Sequence, residues 1–315
     1  MSDNEQSNFS HCPVMLDESL GWLKARNGGI FLDCTFGGGG HACGILSANE
    51  NNFVHALDRD PMAKSRANDI ASHYKNFAFH HSNFADIADL QLPEFDGILM
   101  DLGVSSFQLD DALRGFSFKH HSPLDMRMDN SSGITAEQFL RHATEQELIT
   151  AIRDYGEESY WKNIVKTIMD HRNDDALSHA DTFADLIVRN LPKKHQKIHP
   201  ATKVFQGIRI FVNDELRAIE SALPIMFEKL AIGGRLVVIS FHSLEDRIIK
   251  RFFNKMAGKS VDRYDSTYQQ NRVSYGNILT KKPVLPTELE INRNPRSRSA
   301  KLRVLEKTKN TDIEK

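Results

Sequence analysis

The chain has 315 residues, 40% hydrophobic and 26% charged, with a formal net charge of −2. That length allows a sizeable core in one or two domains, and the even charge balance does not announce a nucleic-acid partner. No apolar run reaches the roughly 18 residues of a membrane span, and the three cysteines, Cys12, Cys34 and Cys43, form no CxxC pair, which fits reduced thiols in a cytoplasmic protein.

In chain order, the polar start "MSDNEQSNFS" (1–10) reads as a loose tail. "GIFLDCT" (29–35) predicts a buried strand, followed by four glycines, Gly37 to Gly40, and a helix over about 41–48. "FVHALD" (53–58) predicts a second strand, and "PMAKSRANDIASHY" (61–74) a helix opened by Pro61, a residue tolerated in a first turn. "NFAFHH" (76–81) and "FDGILMDLG" (95–103) predict the third and fourth strands. Short apolar strands alternating with helices indicate an α/β fold whose parallel sheet is covered on both faces.

The alternation then stops. Over 105–197 the segments read as helical, and "TAEQ" (135–138) and "TEQE" (144–147) fit the capping-box pattern. "EESYWKNIVKTIMDHR" (157–172) and "ADTFADLIVRNL" (180–191) carry helix-period apolar residues. A helical stripe runs from 202 to 223 through Val204, Ile208, Phe211, Leu216, Ile219 and Leu223. "GGRLVVIS" (233–240) predicts a fifth strand, and "SLEDRIIKRFFNKM" (243–256) a helix capped by Ser243. The polar stretch 257–280 reads as loop and "AKLRVLEK" (300–307) as a terminal edge strand. The expected organisation is a sheet domain over 11–104 and 198–308, an inserted all-helical domain over 105–197, and tails at 1–10 and 309–315.

A glycine-rich turn after the first strand of an open α/β sheet is where nucleotide-like cofactors bind, because bare main chain tolerates positive φ and lets a ligand approach closely. Gly37-x-Gly39-x-x-Ala42 fits the dinucleotide fingerprint in its Gly/Ala form, and Asp58, 21 residues after Gly37, ends the second strand where a carboxylate can accept ribose hydroxyls. No Lys or Arg occurs between Gly28 and Leu57. Asp33, Asp58 and Asp101 end three of the predicted strands. Acids suit the ammonium and sulfonium of S-adenosylmethionine better than the pyrophosphate of NAD, although a helix N-terminus can hold a pyrophosphate without a base. No Cys/His set has the spacing of a zinc site, and no metal is expected.

"HCPVML" (11–16), "DCTFGGGGH" (33–41), "LDRDP" (57–61), "DGILMDLGVSSFQLDDALRGFSF" (96–118), "PLDMRMD" (123–129), "YGEE" (155–158), "HPATKVFQGIRIFVNDEL" (199–216), "GGRLVVISFHSLEDRIIKRFF" (233–253) and "NPRSRSAKLRVLE" (294–306) stand in order along the chain. Together they resemble the RsmH/MraW family of bacterial methyltransferases. The resemblance implies a Rossmann-like, S-adenosylmethionine-dependent methyltransferase sheet interrupted by a helical domain that recognises RNA. It implies methylation of the exocyclic N4 of one cytosine near the P site of the small ribosomal subunit's 16S rRNA. The implied cofactor-binding positions are Gly39, Gly40, His41, Asp58, Phe84, Asp101 and Gln108. The chain departs from the family at Gly38, often bulkier in relatives, and at Gly207, where alanine is usual. Inside a helix that glycine costs up to about 1 kcal/mol. "DLGVS" (101–105) stands where many amino-methyltransferases carry an Asp/Asn-Pro-Pro-aromatic motif, so their base-binding geometry cannot be copied.

A cytosine amine is a poor nucleophile, and an acceptor for one of its protons helps methyl transfer. Asp101 is the candidate, with a main-chain carbonyl of the Leu102-Gly103 turn as the other option. Residues 193–209 hold five Lys/Arg and no acid, and residues 281–310 hold nine against three Glu. Lys193, Lys194, Lys197, Lys203, Arg293, Arg296 and Arg298 are candidate phosphate contacts. "SFHSLEDR" (240–247) lacks a GxSxG elbow, so His242 is expected to serve structure or substrate positioning. An NAD(P)-dependent oxidoreductase and a non-catalytic nucleotide-binding RNA partner remain as alternative functions. The sequence leaves the oligomeric state open, a homodimer included.

Overall fold

The computed structural model describes residues 13–192, 199–269 and 272–311, so the expected first tail and Cys12 lie outside the described residues. The described residues form seven strands: β1 (Gly29–Asp33), β2 (Asn52–Asp58), β3 (Phe77–His81), β4 (Phe95–Asp101), β5 (Leu230–Ser240), β6 (Gly276–Ile278) and β7 (Lys301–Lys307). They form one sheet in the order β3-β2-β1-β4-β5-β7-β6. The first five are parallel, and β7 runs antiparallel to both of its neighbours. The strand order turns around between β1 and β4, the place where open α/β sheets bind ligands beyond the carboxyl ends of their strands.

Successive side chains of a strand face opposite ways, and each face of this sheet has its own core. Phe31, Leu99, Val237 and Val304 pack with α2 (Gly40–Ala48) and α3 (Ala63–His73) through Ile45, Leu46, Ala67 and Ile70. Helix α1 (Leu16–Leu23) joins the same layer through Leu20 and Leu23. Leu32, Ile98, Met100 and Val238 face the other way, where they meet Ile219, Leu223, Phe227, Ile249 and Phe253.

The chain divides into two units, one holding the sheet (residues up to Gly103 and from Ala218) and one spanning Val104–Arg217. The second contains α4 (Ser106–Asp110), α5 (Ala136–His142), α6 (Glu145–Ile149), α7 (Trp161–Asp170), α8 (Ala180–Asn190) and α9 (Thr202–Asn213). Its core is made by Phe139, Leu148, Ile152, Ile164, Phe183, Ile187, Val204 and Ile208. Both expected capping boxes are present, Thr135 with Gln138 and Thr144 with Glu147. Among the described residues of this unit, β-pairing is limited to one bridge between Pro123 and His179.

Four sequence expectations need correction. The helical unit extends through α9 rather than ending at 197, because Val204, Phe205 and Ile208 bury their side chains in its core. The stripe from 202 to 223 is two helices, α9 and α10 (Glu215–Glu228), separated at Asp214 in the left-handed conformation at φ 50°. Val204 and Ile208 serve the helical core, while Ile219 and Leu223 serve the sheet. Strand β7 is interior, flanked by β5 and by β6, a three-residue strand within the stretch read as loop. Helix α11 (Ser243–Met256) is capped by His242, not Ser243: a ring nitrogen of His242 accepts the Glu245 amide, and Glu245 accepts the Phe241 and His242 amides in return. The last helix, α12 (Glu288–Arg293), starts at a Thr287 cap and lies in the chain just before β7.

Candidate cofactor site and active site

The site starts where β1 hands over to α2. Gly37 and Gly39 have φ of 52° and 80°, conformations that glycine adopts without a Cβ penalty. Crowding adds a second reason. A Cβ on Gly39 would lie 2.4 Å from Ile70 Cδ1 and 2.9 Å from the Phe36 ring, and one on Gly40 would lie 2.4 Å from Pro13 Cγ. These two glycines are therefore kept bare by the chain's own packing, as well as by the turn.

Asp58 ties this turn to the end of β2. Its Oδ2 accepts the Gly37 amide at 2.7 Å and its Oδ1 the Asp60 amide at 2.8 Å. Arg66 Nε donates to the Gly37 carbonyl at 2.9 Å, so α3 supplies a base that the acid-only sequence neighbourhood concealed. Burial raises the Asp58 carboxyl above its ordinary value, opposed by the Asp60 and Gly37 amides and by Arg66.

His41 is buried beside the turn. Its Nε2 lies 3.1 Å from the Val14 carbonyl, which can only accept, so Nε2 carries the proton. Burial lowers its pKa to about 4, leaving a neutral ring whose Nδ1 lone pair lies 3.7 Å from Asp101 Oδ2. The Asp101 amide donates to Thr35 Oγ1 at 2.7 Å, joining the ends of β4 and β1. Asp101 Oδ1 is buried without a hydrogen-bond partner among the described residues. Burial, then the carboxylates of Asp33, Glu245 and Glu290, hold the Asp101 carboxyl well above the usual range.

Asp33 is fully buried. Its Oδ1 accepts the Thr35 amide at 3.1 Å, while Oδ2 is buried without a partner among the described residues. Burial raises its pKa to about 7, against the Thr35 and Ala42 amides and with some help from Asp58. Buried polar atoms are normally satisfied. Two orphaned carboxylate oxygens at the carboxyl ends of adjacent parallel strands fit a ligand that brings positive charge or hydrogen-bond donors.

Gly39, Gly40, His41, Asp58 and Asp101 thus come together through direct contacts around the turn. Phe84 is half-buried at the same edge, on a short helix begun by an Asn83 cap, and the Ser82 amide ties the preceding residues to the Asp58 carbonyl. Gln108 belongs to the helical unit, where its side-chain oxygen accepts the Ser105 amide at 3.1 Å and closes the cap of α4. Sequence reasoning missed Thr35, Arg66, Glu245 and Glu290. Glu290 on α12 accepts the Met15 amide at 2.6 Å. The x-His-x-x-Glu spacing at 242–245 is a capping-box pattern and was the one available signal for Glu245.

Of the candidate phosphate contacts, Lys193, Lys194 and Lys197 lie outside the described residues. Lys203 is half-buried and donates to the Glu157 carbonyl at 2.9 Å. Arg293, Arg296 and Arg298 are exposed. No helix among the described residues is long and apolar enough to cross a membrane.

The sheet order, the reversal between β1 and β4 and the acid-ended strands around a glycine turn define a Rossmann-like domain of the methyltransferase class. The chain belongs to the MraW methylase family, whose sequence model matches residues 8–308. It is 46% identical over 301 residues to the ribosomal RNA small subunit methyltransferase H of Rickettsia conorii, covering 93% of this chain and 97% of that one. To the protein of the same name from Rickettsia felis it is 43% identical over 305 residues, covering 95% and 98%. A solved rRNA methylase from Streptococcus thermophilus matches at 10% identity and a TM-score of 0.40, over 93% of this chain and 94% of that one.

Proposed function

We propose that this chain is an S-adenosylmethionine-dependent methyltransferase acting in the cytoplasm on the exocyclic N4 of one cytosine near the P site of the small-subunit rRNA. The observation that carries the reading is Asp101, which ends β4 with one carboxylate oxygen buried and, among the described residues, unpartnered. The residues fit the cofactor: Asp33 and Asp101 offer acceptors to a cationic ligand, Asp58 keeps a lone pair on each oxygen for ribose hydroxyls, and Phe84 presents an apolar ring for the adenine. When bound, S-adenosylmethionine supplies a methyl carbon on a positively charged sulfur, open to in-line attack.

The chain's task is alignment and proton acceptance. Fixed strand ends and a rigid turn hold two reactants in register, an effect that can lower a barrier by about 7–11 kcal/mol. Asp101 draws one N–H of the cytosine amine aside and takes its proton as the nitrogen attacks. Its carboxyl is raised by burial and acidic neighbours, and it ionises more readily beside a positive charge. His41 stays neutral and keeps a lone pair toward it. The base must leave its stack to reach such a site, and the helical unit serves to hold the surrounding RNA.

Mass mapping of small-subunit rRNA from cells lacking the protein tests the reading. One N4-methylated cytosine is expected to lose its methyl group and to regain it with the wild-type gene. Asp101→Asn is expected to bind cofactor while transferring methyl groups about 10²–10⁴ times more slowly. An unchanged methylation pattern contradicts the function. Full activity of the variant moves proton acceptance to the Leu102-Gly103 main chain.

A further inference from the structure

A second charged feature lies in the sheet unit, away from the glycine turn in sequence. Lys250 and Asn254 of α11, Lys259 after it, Thr280 and Lys281 after β6, and Arg303 of β7 line a shallow cleft of about 100 Å³. Among the described residues, no Asp or Glu lines it. Arg303 is already held by Asp246, at 2.6 and 3.2 Å. Lys250, Lys259 and Lys281 are exposed, and none of the three makes an ion pair among the described residues. Thr280 Oγ1 accepts the Val304 amide at 2.9 Å, which leaves its hydroxyl hydrogen to donate elsewhere.

The segment leaving this cleft is built to present aromatic rings. Arg272 donates to the Lys259 carbonyl at 2.9 Å, to Asp265 Oδ2 at 2.7 Å and to the Thr267 carbonyl at 2.8 Å. Asp265 also accepts the Val261 and Thr267 amides, and Gln269 donates to the Gly258 carbonyl. On this braced loop Tyr264 and Tyr268 are 76% and 74% exposed. Exposed rings on a bonded loop, one of them with Arg263 4.6 Å from its centre, beside three lysines that make no ion pair among the described residues, match the way single strands are bound: phosphates in a basic groove, bases on aromatic faces.

We propose that the α11–β6 cleft and the Tyr264/Tyr268 loop form a binding track for single-stranded RNA, separate from the cofactor turn. The proposal rests on the rRNA-substrate reading above and names a surface that engages that RNA outside the reacting base. The lysines take consecutive phosphates, and the two rings stack unpaired bases next to them.

The test uses the full-length protein and a labelled oligouridylate, with binding followed by anisotropy across a salt series. Lys250→Glu/Lys259→Glu/Lys281→Glu is expected to weaken binding and to flatten the slope of log affinity against log salt by about 2, at about 0.7 per lost phosphate contact. Tyr264→Ala/Tyr268→Ala is expected to weaken binding at least about fivefold with the slope unchanged. S-adenosylhomocysteine affinity should be unaltered in both, which shows that the variants are folded. A Lys→Gln set, smaller in its charge change, should fall between. Wild-type affinity and slope in the variants overturn the proposal, as does a wild-type protein that binds no oligouridylate. Cleft-dependent binding by a protein that methylates no cytosine overturns the proposed function and leaves this track standing.

Discussion

In the helical unit Glu158 and Glu215 are buried, and each has a bonded carboxylate: Glu158 accepts the Tyr160 amide, and Glu215 takes both arms of the Arg209 guanidinium at 2.8 Å. In the sheet unit Asp33 and Asp101 each leave one buried oxygen with no partner among the described residues, and burial raises both carboxyls. Both units bury acids and both use capping boxes, so burial alone does not mark the site. What sets Asp33 and Asp101 apart is that each ends a strand beside the glycine turn with one oxygen lacking a partner among the described residues, which leaves room for a ligand to complete it.

The largest effect expected from this contrast is at Asp33. Its folded-state pKa of about 7 exceeds the ordinary 3.8, so the folded chain binds the proton more tightly than the unfolded chain does. The stabilisation is fully present below about pH 4 and is lost as pH rises through 7, a change of about 4 kcal/mol. Asp33→Asn removes this loss. Urea unfolding without cofactor should show the variant gaining on the wild type between pH 4 and 7 and holding a constant difference above. His41, with its pKa lowered to about 4, acts in the opposite direction, since stability falls as pH drops from about 6.5 to 4; it is common to both proteins and cancels in the difference. A pH-independent difference would show that Asp33 is an ordinary structural acid.

A smaller effect is expected in the helical unit, at Gly207. Propensity alone predicts that Gly207→Ala in α9 gains about 1 kcal/mol. The structure reverses the sign, because a Cβ there would lie 2.0 Å from the Ala151 carbonyl oxygen and 2.7 Å from the Gly156 amide nitrogen. The wide helical turn Thr150–Tyr155 presses its backbone directly onto α9. Unfolding should show a loss of about 1–3 kcal/mol, as for other overpacked sites; a stabilised variant would mean that the two backbones do not touch in this way. The smallest effect is at Thr135, whose Oγ1 accepts the Gln138 amide at 3.1 Å. Thr135→Ala should cost about 1 kcal/mol, equally at pH 5 and pH 8. A pH-dependent cost would place a titrating group where the contrast between the units allows none.

Much of the fold was legible because the physics that builds it is local. Continuous apolar runs announced β1 to β5, and Thr-x-x-Gln and Thr-x-x-Glu announced α5 and α6. The misses share a cause in distant contacts. Strand β6 is three residues long and exists because β7 pairs with it, and β7 is interior for the same reason. The break between α9 and α10 falls on Asp214, with neither glycine nor proline to signal it. At the site, the positions of Gly39, Asp58 and Asp101 could be read from strand ends and spacing. The crowding of Ile70 on Gly39, the reach of Arg66 to Gly37 and the protonation of Asp33 depend on what lies across the fold, which periodicity does not encode.

The central claim is that the glycine turn and its acids receive a cationic, phosphate-free methyl donor. A crystal structure of the protein with S-adenosylhomocysteine tests it most directly. The account predicts adenosine over residues 37–41, with the ribose hydroxyls on Asp58 and the amino-acid portion toward Asp33 and Asp101. Adenosine bound elsewhere, or a diphosphate lodged in the turn when NAD is supplied in its place, would contradict it.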